Sequence, residues 1–249
     1  MKFKEKVVLV TGSSRGIGSQ IVYDFAKEGA NVVINYNNSQ EEAQNLSDKI
    51  KKDFNIEPLV IKCDISNENQ VSKMIKKIIS KYGKIDILVN NAGIAIDTEF
   101  DNKDNEIFSK VVNTNLTGTY LVTKYVGKYM KKNNYGKIIN IASDNGIDGY
   151  YPESCDYDAS KAGVISLTHN MAKFYAPHIN VNCICPGWIV TDMNKELDNQ
   201  QKDKIVSKIL VNRMGNTKDI SNATLFLASE ESNFINDTIL KVNGGINNE

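Results

Sequence analysis

The stretch "VVLVTGSSRGIGSQIVYDFAKEG", Val7 to Gly29, sets a short β-branched run against three closely spaced glycines and then an amphipathic segment. Valine stiffness at χ1 suits a strand, and the segment after Gly18 repeats its apolar positions with helical spacing. Gly12, Gly16 and Gly18 fall where a strand must turn sharply, let a phosphate approach the backbone, and then pack a helix on the sheet. A glycine cluster alone fits a plain tight turn equally well. Its position after a strand, before a helix and inside the first βαβ unit favours a pyrophosphate at the helix N-terminus.

The same rhythm continues outward. Strand candidates are "KVVLVT" at 6, "NVVINY" at 31, "PLVIKC" at 58, "IDILVNN" at 85, "GKIINIAS" at 136, "INVNCIC" at 179 and "TILKVNGG" at 238. Amphipathic stretches separate them, such as "QVSKMIKKIISKYG" with Val71, Met74, Ile75, Ile78 and Ile79 on one face. The strands are continuously apolar, as strands covered on both faces must be. The expected fold is therefore α/β, a doubly wound, seven-stranded parallel sheet with right-handed crossovers and helices on both faces. No linker or composition shift divides residues 1–249, so one domain of the Rossmann type is expected.

Composition narrows the partners. Thirty basic and thirty acidic residues cancel, so no global field draws the chain to nucleic acid or an anionic membrane, and a small-molecule partner is expected. No stretch approaches eighteen apolar residues, and the apolar run after "MKFKEK" is too short for a signal peptide, which predicts a cytoplasmic protein. Cys63, Cys155, Cys183 and Cys185 show no zinc spacing, so no metal is expected; Cys183 and Cys185 share one face of a strand as free thiols.

In "CDYDASKAG", Tyr157 stands four places before Lys161, so the two share a helix face. A free tyrosine, with a pKa of about 10, is a poor base at neutral pH. A neighbouring ammonium favours the phenolate, and Tyr157 could then exchange a proton with a carbonyl oxygen. Taken alone, such a pair also fits an ordinary helix surface. Cys155 lacks an activating base: the only histidines are His169 and His178, and Asp156 and Asp158 oppose a thiolate.

Four motifs in order carry a resemblance. "TGSSRGIG", "NNAG" at 90–93, "YDASK" and "CPGWIVTDM" after the sixth strand together resemble the short-chain dehydrogenase/reductase family, nearest to its 3-oxoacyl-carrier-protein reductases through "RMGNTKDI" and "FLASEESNFINDTILKVNGG". The resemblance runs from Val7 to the terminal "VNGG". It implies a catalytic tetrad of Asn115, Ser143, Tyr157 and Lys161, in which Ser143 holds the substrate oxygen and Asn115 orients a water leading to Lys161. Ser143 lies fourteen residues before Tyr157, one more than in many relatives.

The implied cofactor contacts are Gly12, Ser14, Arg15, Gly16, Ile17 and Gly18 in the loop; Tyr36, Asn37, Asn38 and Ser39 after the second strand; Cys63, Asp64 and Ile65, with Asp64 near adenine; Asn91, Ala92 and Gly93; Tyr157 and Lys161; and Pro186, Gly187, Ile189 and Thr191, with Thr191 holding the carboxamide. Tyr36 stands where NAD-preferring members carry aspartate, so nothing rejects a 2'-phosphate. Arg15, one of only two arginines, can stack on adenine and pair with that phosphate. NADP(H) is thus expected over NAD(H). Ser143, Tyr150, Tyr151 and Trp188 are the substrate-side candidates, although each aromatic could equally be packing, and residues 194–212 read as a helical lid. Relatives imply a homotetramer.

Two classes of function follow. One is an NADPH-dependent carbonyl reductase, of 3-oxoacyl thioesters in fatty acid biosynthesis or of a small free ketone, sugar, polyol or steroid alcohol. The other is a catalytically idle NADP-binding sensor, which a complete tetrad disfavours. Acyl carrier protein is a conditional partner: between Ser143 and Ser160 the chain carries Asp144, Asp148, Glu153, Asp156 and Asp158 with no lysine or arginine, and an acidic carrier is expected to be repelled by that rim. Lys131 and Lys132 offer a basic foothold.

Overall fold

The structure, a computed structural model, describes residues 1–149, 151–191 and 198–245. Strands and helices alternate as β1 (Val7–Val10), α1 (Gly16–Lys27), β2 (Asn31–Tyr36), α2 (Gln40–Phe54), β3 (Leu59–Lys62), α3 (Glu68–Tyr82), β4 (Ile87–Asn90), α4 (Asn105–Val112), α5 (Gly118–Asn133), β5 (Gly136–Ile141), α6 (Asn145–Asp148), α7 (Cys155–Tyr175), β6 (Ile179–Pro186), α8 (Asn199–Val206), α9 (Thr217–Ala228) and β7 (Ile239–Val242). One seven-stranded sheet has the order β3-β2-β1-β4-β5-β6-β7, and every pairing is parallel. This is the expected α/β doubly wound architecture. The order reverses between β1 and β4, which opens a crevice at the carboxyl ends of these strands.

Alternation along each strand explains the unbroken apolar runs. Val7 and Leu9 join a core with Val71, Met74, Ile75 and Ile78 of α3 and Val122 and Val126 of α5, while Val8 and Val10 face Ile21, Val22 and Phe25 of α1 and Leu227 of α9. The face expected for α3 is the one buried, with Ile79 at its margin. Its ends obey local chemistry: the Asn67 side chain accepts from the Gln70 N–H, and Gly83 closes the helix at φ 75°. Asp104 caps α4 in the same way, through the N–H of Ile107.

Between α4 and α5 the chain does not leave the helix but widens into a π-helical turn over Asn113–Thr117, with Asn115 buried at its centre. The Tyr/Lys motif is helical, as its spacing requires, near the start of α7. Of the expected lid, residues 194–197 lie outside the described residues, and Asn199–Val206 forms α8 with a capping box of Asp198 and Gln201.

Candidate active site

The glycine loop is held by its neighbours at the crevice. The Gly12 N–H donates to Asn35 Oδ1 (3.0 Å), Asn35 N–H donates to Ser13 Oγ (3.1 Å), and the Asn91 amide donates to the carbonyls of Thr11 and Gly12 (3.0 Å each). Gly12 adopts φ 60°, and a Cβ there would lie 2.7 Å from Ala92 Cα, so only glycine lets the loop rest on the "NNAG" segment. Gly16, at φ 59°, faces open space instead, with Thr191 Cγ2 3.9 Å from where its Cβ would be.

These features fit a dinucleotide. The N-terminus of α1 has no side-chain cap and no acidic residue in its first turn, leaving its N–H groups and dipole available to an anion. Arg15 is exposed and makes no ion pair among the described residues, and Asn37 and Asn38, which follow β2, are exposed as well. Thr191 approaches the other side of the loop at Gly16, while Gly187 packs against Asn243. Two expected contacts turn inward: Cys63 is buried, and Ile65 packs against Gly118, so both present backbone rather than side chain to a ligand. Asp64 Oδ1 accepts from the N–H and hydroxyl of Ser66 (2.9 and 2.7 Å). Pro186 is buried, its carbonyl accepting from Asp144 N–H (3.0 Å), and Ile189 pairs with Gly215. Ser14, Ile17, Tyr36 and Ser39 are partly exposed around the loop.

Across the crevice the tetrad residues converge. The Ser143 hydroxyl lies near enough to the Tyr157 phenol to favour its ionised form, and Ser143 Oγ accepts from the Asn145 N–H (3.2 Å). Lys161 is buried beneath, its Nζ donating to the carbonyl of Ile141 (2.9 Å) and lying 5.5 Å from the Tyr157 ring centroid. Asn115 accepts from Ile94 N–H (2.8 Å) and donates to Ile94 O (2.9 Å) and Ser160 Oγ (3.0 Å). Gly93 lies between Asn115 and Lys161: its Cβ would sit 3.3 Å from Asn115 Oδ1 and 3.4 Å from Lys161 Nζ. The extra residue between Ser143 and Tyr157 is absorbed without separating them.

The electrostatics differ from the expected lowering of the tyrosine. Burial, together with Asp144, Asp158 and Asp97, pushes Tyr157 up to about 12 against the lowering hydrogen bond from Ser143. Burial brings Lys161 down to about 8, although Cys183 and Cys185 pull the other way. The physical reason is that Lys161 is buried and Tyr157 half-buried, and the charged form of each is the one that removal from water penalises. In the protein alone Tyr157 is a held acid, not a poised phenolate.

Beside Ser143 a cleft of about 260 Å³ is lined by Asp144, Asp148, Tyr151, Trp188, Lys241 and Asn243. Tyr151 and Trp188 were expected there; Tyr150 lies outside the described residues. Asp144 and Asp148 stood on the expected acidic rim, whereas Lys241 and Asn243 escaped the sequence reading because β7 is far away in the chain. The acidic rim shrinks. Asp148 pairs with Lys241 (2.8 Å), and Asp156 pairs with Lys103 (2.9 Å), so two of its five acids are neutralised by lysines from outside the loop.

An uncapped helix opening onto a glycine loop, with a serine and a tyrosine converging above a buried lysine across the crevice, is the arrangement of an oxidoreductase on a dinucleotide fold. Residues 12–247 match the family model described as enoyl-(acyl carrier protein) reductase, and the chain belongs to the short-chain dehydrogenase/reductase family. It is 38% identical over 242 residues to the 3-oxoacyl-[acyl-carrier-protein] reductase FabG of Staphylococcus epidermidis, covering 97% of this chain and 98% of that one. It is also 40% identical over 245 residues to FabG of Chlamydia muridarum, covering 97% of each. Among solved structures, levodione reductase superposes with a TM-score of 0.91 at 30% identity over 98% of both chains.

Proposed function

We propose that the protein is an NADPH-dependent carbonyl reductase whose substrate is a 3-oxoacyl thioester. The observation that carries this is the convergence of the Ser143 hydroxyl and the Tyr157 phenol above the buried Lys161. Two hydroxyls meeting at one point suit an oxygen, which a ketone presents. Bound NADPH would supply the hydride. Ser143 holds the carbonyl oxygen, Tyr157 donates its proton to that oxygen, and the Lys161 ammonium offsets the charge left on the phenol. A tyrosine that keeps its proton to about 12 is matched to donation, the reductive direction. Asn115 braces the Ile94 backbone and Ser160 rather than touching the reacting atoms.

The uncapped α1 terminus would take the pyrophosphate, and the exposed Arg15, with the neutral Tyr36–Ser39 segment, supports NADP(H) over NAD(H). The two relatives named as 3-oxoacyl-[acyl-carrier-protein] reductase, 38% and 40% identical over nearly the whole chain, support the thioester. A cytoplasmic homotetramer is consistent with this; among the described residues no helix is long and apolar enough to cross a membrane, and Tyr120, Phe174, Phe226 and Phe234 are exposed apolar surface.

A second reading, a compact polar ketone, is favoured by the cleft beside Ser143, whose carboxylates, amides and lysine suit hydroxyl groups better than an acyl chain. The test assays purified protein with NADPH against acetoacetyl-carrier protein, a neutral acetoacetyl thioester and a panel of hydroxyketones. Preference for the carrier form that weakens with added salt supports fatty acid synthesis. Preference for the hydroxyketones supports the second reading, and turnover of none of them overturns both.

A further inference from the structure

Among the described residues, Lys103 and Asp156 form the ion pair in which both side chains are buried, at 2% and 0% exposure, with Nζ 2.9 Å from Oδ1. Lys103 closes the segment that follows β4 and precedes α4. Asp156 lies in the first turn of α7, immediately before Tyr157. Each group does a second job: Lys103 Nζ also donates to the carbonyl of Ile96 (2.8 Å), and Asp156 Oδ1 also accepts the backbone N–H of Tyr157 (2.9 Å). A backbone bond from Thr98 N–H to Glu153 O (3.1 Å) ties the same two segments nearby. One carboxylate oxygen therefore joins the Tyr157 backbone to the wall of the crevice.

Stability alone is a weak reason for such a pair. Taking two charges out of water is costly, an apolar pair of similar volume often does as well, and here the second carboxylate oxygen, Oδ2, is buried with no hydrogen-bond partner. We infer that Lys103 and Asp156 are positioning residues for Tyr157, fixing the first turn of α7 against residues 94–103 so that the phenol meets the Ser143 hydroxyl. The inference rests on the reading of Tyr157 as the proton donor. Neither residue touches the reacting atoms. Asp156→Asn keeps an oxygen for the Tyr157 N–H but strands the lysine, whereas Lys103→Arg preserves the pair.

The experiment compares wild type with Lys103→Arg, Lys103→Met, Asp156→Asn and the Lys103→Met/Asp156→Asn double variant, using NADPH and whichever carbonyl substrate the wild type reduces best. Because small misplacements of reacting groups cost up to about 100-fold, kcat should fall about 10- to 100-fold in Lys103→Met and Asp156→Asn. NADPH binding by fluorescence titration and near-UV circular dichroism should stay at wild-type levels. The double variant should lose no more than either single change, since the two act as a unit, and Lys103→Arg should retain most of kcat. The double variant and Lys103→Arg keep the test open if one single variant fails to fold. Neutral variants that keep kcat within about twofold would overturn the inference, as would kcat losses that follow only the loss of folded protein. Crystal structures of wild type and Asp156→Asn read the Ser143 to Tyr157 separation without turnover. An unchanged separation overturns the positioning role, whereas an inactive wild type refutes the reductase reading instead.

Discussion

The glycine-loop half of the molecule, β1 to β3 with α1, is held by backbone geometry, while the tyrosine half, β4 to β6 with α7, is held by buried side-chain partnerships. In the first half the decisive atoms are glycine α-carbons and helix N–H groups, tethered by Asn35 and Asn91. In the second, Asn90 donates to Thr123 Oγ1 and Asn140 Oδ1 (2.8 Å each), Asn140 donates to Thr168 (2.9 Å), and the Lys103 to Asp156 pair lies beyond them. Binding an invariant anion needs only a shaped backbone. Moving a proton needs groups whose charge states are set by their surroundings, and that requires polar atoms inside the protein.

Substitutions can break this contrast. The largest effect is expected from Tyr157→Phe, which removes a proton and not the pocket. Turnover should fall about 100-fold or more while NADPH affinity, measured on the same preparation, stays nearly intact. Retention of more than a tenth of the rate would remove the tyrosine from the chemistry.

Next comes a matched pair in the other half. An L-residue in the left-handed region costs roughly 1–2 kcal/mol, and Gly12→Ala adds overlap with Ala92, so NADPH binding should fall by more than about tenfold with a lowered Tm. Gly16→Ala has nearly the same φ but its nearest neighbour is 3.9 Å away, so it should carry the backbone cost alone. Equal damage from both, in parallel titrations and melts, would show that close approach to the "NNAG" segment is not what glycine is for at position 12.

A pH profile sharpens the second half. Lys161 loses its proton near 8, and the neutral amine no longer offsets charge on the phenol, so kcat for reduction should decline as pH rises through about 8. Tyr157, held protonated to about 12, does not contribute that limb. A rate that is level to pH 10 would mean that the lysine charge is not used. The smallest effect is expected from Arg15→Ala, which should reduce the preference for NADPH over NADH by about fivefold to tenfold, as the ratio of specificity constants; an unchanged ratio would place discrimination elsewhere.

How legible each half was follows from the range of its interactions. The strands, the helices and the three glycines are local patterns, and parallel pairing follows from the helices that connect successive strands, whereas the order of the strands was read only from the structure. Tyr157 and Lys161 are four apart in one helix, so their proximity was readable too. The charge balance was not. The upward push on Tyr157 comes partly from Asp97, sixty residues earlier, and Lys103 meets an aspartate fifty-three residues on. The acidic loop looked uncompensated for the same reason, since Lys241 reaches it from ninety-three residues away.

The π-helical turn at Asn113–Thr117 has a consequence for length. It makes α4 and α5 a single rod with one residue more than regular winding would accommodate, a register defect placed where Asn115 braces Ile94 and Ser160. A π turn winds less per residue than an α-helix, so it takes up the extra residue while the two halves keep nearly the orientation of a regular helix, and deleting one residue here would let the rod heal with both packed faces still seated. The loss from such a deletion should fall on the placement of Asn115 against Ile94 and Ser160, and so on the site, more than on the packing of the rod.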